Sequence, residues 1–164
     1  MKSRSVPQIH IIDKSPIYRK VIEELIRALG HSGISSSESC EQLLSLKIQP
    51  DIIILDHDLG NHKLTGLDFV RSFGSLQFPN TRFVFLSSTT SLDIAVSSLR
   101  AGAKDYIIKS KAGWEHLAKR LDQLVGSFYA FRRKQKQFKV AMFSLVLFGF
   151  IFALTILLYN HQMI

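Results

Sequence analysis

Asp51-Ile-Ile-Ile-Leu-Asp56-His-Asp58 is the stretch whose reading decides the fold. Residues 52–55 are four consecutive apolar residues, three of them β-branched isoleucines. A strand reads this way when both of its faces are covered, as in a parallel sheet flanked by helices. The run stops abruptly at Asp56. The carboxyl end of a buried strand is where open α/β sheets place their chemistry. Aspartate also caps and turns chains for purely local reasons. Position alone leaves both readings of Asp56 open, and the flanking sequence has to decide between them.

Upstream, residues 8–12 (Gln-Ile-His-Ile-Ile) read as a first strand ending in Asp13. Ser15-Pro16 follows, a helix N-cap with proline at the first helical position. Val21, Ile22, Leu25, Ile26 and Leu29 then recur at helical spacing until Gly30. Residues 33–35 form a candidate short second strand, and residues 37–46 a second helix with Leu43, Leu44 and Leu46 on its apolar face. Downstream, residues 60–65 are a polar loop and Gly66 opens a third helix. Phe78-Pro79-Asn80 is a turn. Residues 82–86 (Arg-Phe-Val-Phe-Leu) make a fourth strand, followed at once by Ser87, Ser88, Thr89 and Thr90. Residues 92–99 form a fourth helix, and residues 105–108 a fifth strand ending in Lys109. Trp114, Leu117, Leu121, Leu124 and Val125 line one face of a fifth helix.

Five strand–helix alternations in about 125 residues imply an α/β domain with a five-stranded parallel, doubly wound sheet. Crossovers are right-handed, so all strand carboxyl ends share one edge. That edge collects Asp13, Asp56, Ser87 and Lys109. Carboxylates, a hydroxyl and an ammonium in one place suit phosphoryl transfer, in which the carboxylate accepts the group and the others bind its oxygens. A Rossmann nucleotide site would need a glycine-rich turn after the first strand, and residues 13–18 have none. His57 and His62 share a loop, but no third ligand suggests a metal site.

Residues 8–125 resemble the response-regulator receiver domain, the CheY-like family of flavodoxin-type topology. The resemblance rests on Ile-Ile-Asp13, Ile-Leu-Asp56, Gly66-Leu67, Phe-Leu-Ser87-Ser88, the segment 99–106 ending in Tyr106, and Ile-Ile-Lys109. It implies that Asp56 is the phosphoacceptor, Ser87 the switch hydroxyl, Lys109 the lysine that binds the phosphoryl group, and Tyr106 the aromatic switch residue. It also implies a Mg2+ site on Asp13 and Asp56. The family has two adjacent carboxylates after the first strand, whereas this chain has Asp13-Lys14. The exchange weakens the expected Mg2+ site, and Asp58 is the nearest substitute ligand. Gly60 and Ser110 stand where the family has prolines.

The single cysteine, Cys40, excludes an intrachain disulfide and fits a reducing compartment. Near a helix start it reads as a packing residue rather than a nucleophile. The basic N-terminus lacks the apolar run of a signal peptide. The net charge of +8 is uneven. Arg132, Arg133, Lys134, Lys136 and Lys139 supply +5, leaving 16 basic and 13 acidic groups in residues 1–131. Basicity concentrated in one block argues against a nucleic-acid partner.

That block precedes twenty uncharged residues, 140–159. A helix of that length matches a bilayer core of about 30 Å. The expected organisation is a receiver domain (1–125), a basic juxtamembrane helix or linker (126–139), a transmembrane helix (140–159) and a short tail (160–164). The domain is then expected in the cytoplasm, anchored by a single pass through the inner membrane, with the five cations near lipid headgroups. Val140 and Tyr159 mark the ends of the span, and Gly149 and Ala153 form a small-xxx-small pattern. With no catalytic or DNA-binding output domain, the chain reads as a switch acting through protein contacts rather than an enzyme. Its expected partners are a histidine kinase or phosphotransfer protein and a membrane protein. The alternative is a pseudo-receiver, a regulatory or assembly subunit of a membrane complex that works without phosphorylation.

Overall fold

The computed structural model describes residues 6–60 and 63–162, with the side chains of the last helix described as far as residue 151. Ile52–Leu55 is the middle strand, β3, and all four residues are buried. Around it lie β1 (Ile9–Ile12), β2 (Ile34–Ser37), β4 (Arg82–Ser87) and β5 (Asp105–Ile108). The sheet order is β2-β1-β3-β4-β5, and every pairing is parallel. Each strand is followed by a helix: α1 (Pro16–Ala28), α2 (Cys40–Leu46), α3, α4 (Leu92–Arg100) and α5 (Lys111–Gln162). Helix α3 begins as Gly66–Phe69, widens into a π-turn at Val70–Gly74 and finishes as Ser75–Gln77.

Period-two alternation divides the strand residues between two cores. On one face Ile9, Ile11, Ile52, Ile54, Val84, Leu86 and Ile107 pack with α1 and the start of α5. On the other, Ile12, Ile53, Leu55, Phe83 and Phe85 meet Leu43 of α2 and an aromatic cluster around Phe69. Phe69 lies 5.7 Å from Phe73, 5.6 Å from Phe78 and 6.2 Å from Phe83 between ring centroids. Such pairs add to the stabilisation from burial itself. Cys40 is fully buried on this face. Burial, reinforced by the neighbouring Glu41 charge, pushes its thiol pKa well up. An uncharged, enclosed thiol is a packing group.

Helix starts follow local chemistry. Ser15, Ser39, Thr65 and Ser91 each accept a backbone N–H with the side chain oxygen, the N-cap bond that satisfies an orphan donor. Ser39, not Ser37, caps α2, so the helix expected over 37–46 begins three residues later and the second strand reaches Ser37. The reason lies beneath it. Ser37 donates to the Ser39 carbonyl oxygen (3.1 Å) and pairs with His10 Nε2 (2.9 Å). Because the Ser37 proton is spent on Ser39, His10 Nε2 carries the imidazole proton. His10 Nδ1 then accepts from Ser35 Oγ at 2.7 Å. His10 is fully buried in β1, and burial lowers its pKa to about 4.

The chain divides into two compact units, Met1–Val125 and Gly126–Ile164. In the second, Arg133, Lys134, Lys136 and Lys139 are exposed, and the Arg132 guanidinium lies 4.8 Å from the Phe128 ring centroid. The transmembrane reading of residues 140–159 is overturned: among the described residues, no helix is long and apolar enough to cross a membrane. Ala153 and Tyr159 lie outside the residues whose side chains are described. The single-pass inner-membrane location therefore falls. The anchor roles given to Val140 and Gly149 rested on that span.

Candidate functional site

Backbone bonds carry the sheet beyond its last residues and hold the site together. Asp56 N–H donates to the Ile12 carbonyl (2.9 Å), Asp13 N–H to Ser37 (3.2 Å) and Lys109 N–H to Ser87 (2.9 Å). Asp13, Asp56, Ser87 and Lys109 are thus fixed at one edge by the register of five strands. The loop after β3 closes back on it, with Gly66 N–H donating to the His57 carbonyl at 3.1 Å. A Cβ at Gly66 would run into the Asp56 carbonyl oxygen and stand 3.0 Å from Leu55 Cγ. Glycine is therefore required where α3 begins.

These residues line a cleft of about 240 Å3 together with Lys14, Ser15, Tyr18, Asp58, Ser88 and Thr89. Its centre is the Lys109 ammonium, 2.7 Å from Asp13 Oδ2 and 2.5 Å from Asp56 Oδ2. The Lys109 side chain is 3 % exposed, and the carboxylates are 2 % and 6 % exposed. Burial disfavours the charge on Lys109, but the hydrogen bonds to Asp13 and Asp56 outweigh it and hold the pKa above the usual lysine value. The ammonium also lies 4.3 Å from the Tyr18 ring centroid, a cation–π contact.

The second oxygens of the two buried carboxylates are engaged as well. Asp13 Oδ1 accepts from Ser15 N–H (2.8 Å) and Asp56 Oδ1 from Asp58 N–H (3.2 Å). Asp58 turns outward. Its Oδ2 takes the Lys14 ammonium at 2.7 Å and its Oδ1 the Gly60 N–H at 2.9 Å. The Lys14 bond, then the Gly60 bond, lowers the Asp58 pKa. Ser87 is buried and lines the cleft, and its Oγ accepts from Thr89 N–H (3.2 Å), a bond that leaves its own hydroxyl proton unspent. Tyr106 is half-buried, stacks on Phe85 with 6.0 Å between centroids, and donates from its hydroxyl to the Thr89 carbonyl (2.9 Å).

The geometry brings Asp13, Asp56, Ser87 and Lys109 together and connects Tyr106 to them through Thr89. It does not bring Asp58 inward as a third metal ligand. Among the described residues, no group of three His, Cys, Asp or Glu side chains is arranged to hold a metal ion. Asp58 Oδ2 holds the Lys14 ammonium, so a divalent cation on that oxygen would meet a like charge, and the Mg2+ expected on Asp13, Asp56 and Asp58 together does not fit this arrangement. His62 lies outside the described residues. Tyr18 and Arg19, whose Nη1 donates to the Asp13 carbonyl at 2.6 Å, were not singled out by the sequence. The signal was present: the Ser15-Pro16 cap places the first turn of α1 directly after Asp13.

Comparison with known proteins agrees with this architecture. The family described as the response regulator receiver domain matches residues 9–122. A gliding motility regulatory protein of Myxococcus xanthus is 30 % identical over 118 residues, 71 % of this chain but only 15 % of that protein. The chemotaxis protein CheY of Thermotoga maritima is 24 % identical over 106 residues, 62 % of this chain and 84 % of that one. The crystal structure of the receiver domain of NtrX from Brucella abortus superposes with a TM-score of 0.65 at 22 % identity, over 73 % of this chain and 98 % of that one. The strand order, the residues at the sheet edge and the family match lead to one conclusion: this chain belongs to the response regulator receiver domain family.

Proposed function

We propose that this protein is a phosphorelay switch in which Asp56 accepts a phosphoryl group from a phosphohistidine of a histidine kinase or phosphotransfer protein. The observation that carries the reading is the buried Asp56 carboxylate held against the Lys109 ammonium in an open cleft. An Asp56 oxygen attacks phosphorus, the P–N bond breaks with its electrons going to the imidazole, and an acyl phosphate forms. As the carboxylate charge passes to the phosphoryl oxygens, the Lys109 ammonium follows it there. The free Ser87 proton is donated to another of these oxygens. Ser87 moving toward the phosphoryl group loosens the Ser87–Thr89–Tyr106 chain of hydrogen bonds. That carries the change to a surface read by protein partners.

The test is incubation of the whole chain with acetyl phosphate and intact-mass measurement. Gain of one phosphoryl mass, lost in Asp56→Asn, supports the reading. Equal gain by the variant overturns it. A second reading, a docking module that works without phosphorylation, is favoured by the Lys14–Asp58 pair, and absence of uptake by the wild type under every condition would leave that one standing.

A further inference from the structure

Lys14 is the one cation at the cleft without a part in the reading above. Its ammonium sits on Asp58 Oδ2 at 2.7 Å, with the two side chains 44 % and 63 % exposed. Its stem crosses Gly60, where a Cβ would lie 3.3 Å from Lys14 Cδ. Gly60 has φ +72°, so a side chain there is disfavoured on two counts. The path of Lys14 is therefore left clear.

Formal charge gives this placement its meaning. Asp13, Asp56 and Asp58 with Lys14 and Lys109 leave the cleft at −1. A carboxylate at position 14 would leave it at −3, and one divalent cation would return it to −1. Exchanging a carboxylate for an ammonium thus supplies the same two units of charge as a divalent metal, from inside the chain. The placement agrees, because the Lys14 ammonium lies on Asp58 Oδ2 and the Lys109 ammonium on Asp13 Oδ2 and Asp56 Oδ2, where a divalent cation would meet like charge. An exposed ion pair of this kind contributes little, so the Lys14 ammonium can leave Asp58 for a stronger acceptor. It presents three donors on a flexible stem.

We propose that Lys14 takes the place of the divalent cation, binding the oxygens of the incoming phosphoryl group opposite Lys109, so that the cleft accepts phosphoryl without metal. The inference rests on Asp56 being the phosphoacceptor. The covalent step is unchanged: the Asp56 oxygen–phosphorus bond forms, the donor's bond to phosphorus breaks, and Lys14 only neutralises charge.

Two measurements on the whole chain test it. The rate of uptake from acetyl phosphate is followed by intact mass with EDTA and with Mg2+, and Mn2+ binding is followed by calorimetric titration. The expected results are wild-type rates within two-fold in the two conditions, a rate at least ten-fold lower for Lys14→Met, and a Lys14→Asp variant that takes up phosphoryl only with Mg2+. Wild type should show no Mn2+ binding at millimolar concentration, and Lys14→Asp should gain it. Wild-type uptake abolished by EDTA, or Mn2+ binding by wild type that Asp13→Asn removes, overturns the proposal. If wild type takes up nothing in either condition, the phosphoacceptor reading fails, and with it the role of Lys14 in transfer. The Mn2+ titration then still shows whether Lys14 excludes a divalent ion.

Discussion

Replacing Lys109 by methionine removes the single charge that two buried carboxylates share. The side chain volume is nearly kept, so the effect is electrostatic. At an effective dielectric constant of about 20, contacts of 2.5 and 2.7 Å each correspond to about 6 kcal/mol of attraction. Much of that is offset by the cost of taking three charges out of water. Truncating one member of a buried pair typically costs about 3–5 kcal/mol, because an uncompensated charge stays behind. Lys109→Met should therefore lose about 3–5 kcal/mol at pH 7. Lys14→Met breaks an exposed pair and should lose no more than about 1 kcal/mol. Urea unfolding read by Trp114, the single tryptophan, reports on the receiver unit alone. A loss for Lys109→Met no larger than that for Lys14→Met would refute the reasoning, since Asp13 and Asp56 would then not depend on that ammonium.

Further outcomes follow from the same geometry. His10 is buried neutral with its pKa near 4, whereas the unfolded value is about 6.5. Between those values the unfolded chain binds the proton and the folded chain does not, so stability falls as pH falls. The His10 share is about 2 kcal/mol between pH 7 and 5, seen as a steeper pH dependence of urea midpoints in wild type than in His10→Gln. Lys109 titrates the other way. With its pKa raised, its contribution is intact below the ordinary lysine value of about 10.4 and is lost only as pH rises through the folded value, measurable as alkaline unfolding that Lys109→Met lacks. Gly66→Ala forces a Cβ onto the Asp56 carbonyl; overpacking of this kind costs about 1–3 kcal/mol. Because it displaces Asp56, it should lower phosphoryl uptake as well as the urea midpoint.

The parts of the fold legible in the sequence were those where one local signal dominates. The run 52–55 reads as a doubly covered strand, and Asp13, Asp56, Ser87 and Lys109 share one edge because parallel topology puts the strand carboxyl ends together. Where signals compete, the reading slipped. Ser37 and Ser39 are both plausible caps, and only the buried His10 beneath β2 decides that Ser37 stays in the strand. The π-turn at Val70–Gly74 in α3 has no sequence mark. Asp58 was read as the nearest substitute ligand, and its pairing depends on Lys14 reaching across Gly60, a long-range contact that spacing cannot show. Residues 140–159 illustrate a different failure. Apolar length was taken as a span, yet among the described residues no helix is long and apolar enough for one.

The central claim is that Asp56 itself carries the phosphoryl group, and the most direct measurement locates that group. Treating the phosphodonor-exposed chain with borohydride reduces an acyl phosphate to an alcohol, converting the modified aspartate to homoserine. Peptide sequencing by tandem mass spectrometry then reads the position. The account predicts homoserine at position 56 and at no other aspartate or glutamate, dependent on prior exposure to the donor. Homoserine at Asp13 or Asp58, or an unmodified Asp56 in a chain that has gained phosphoryl mass, would contradict it.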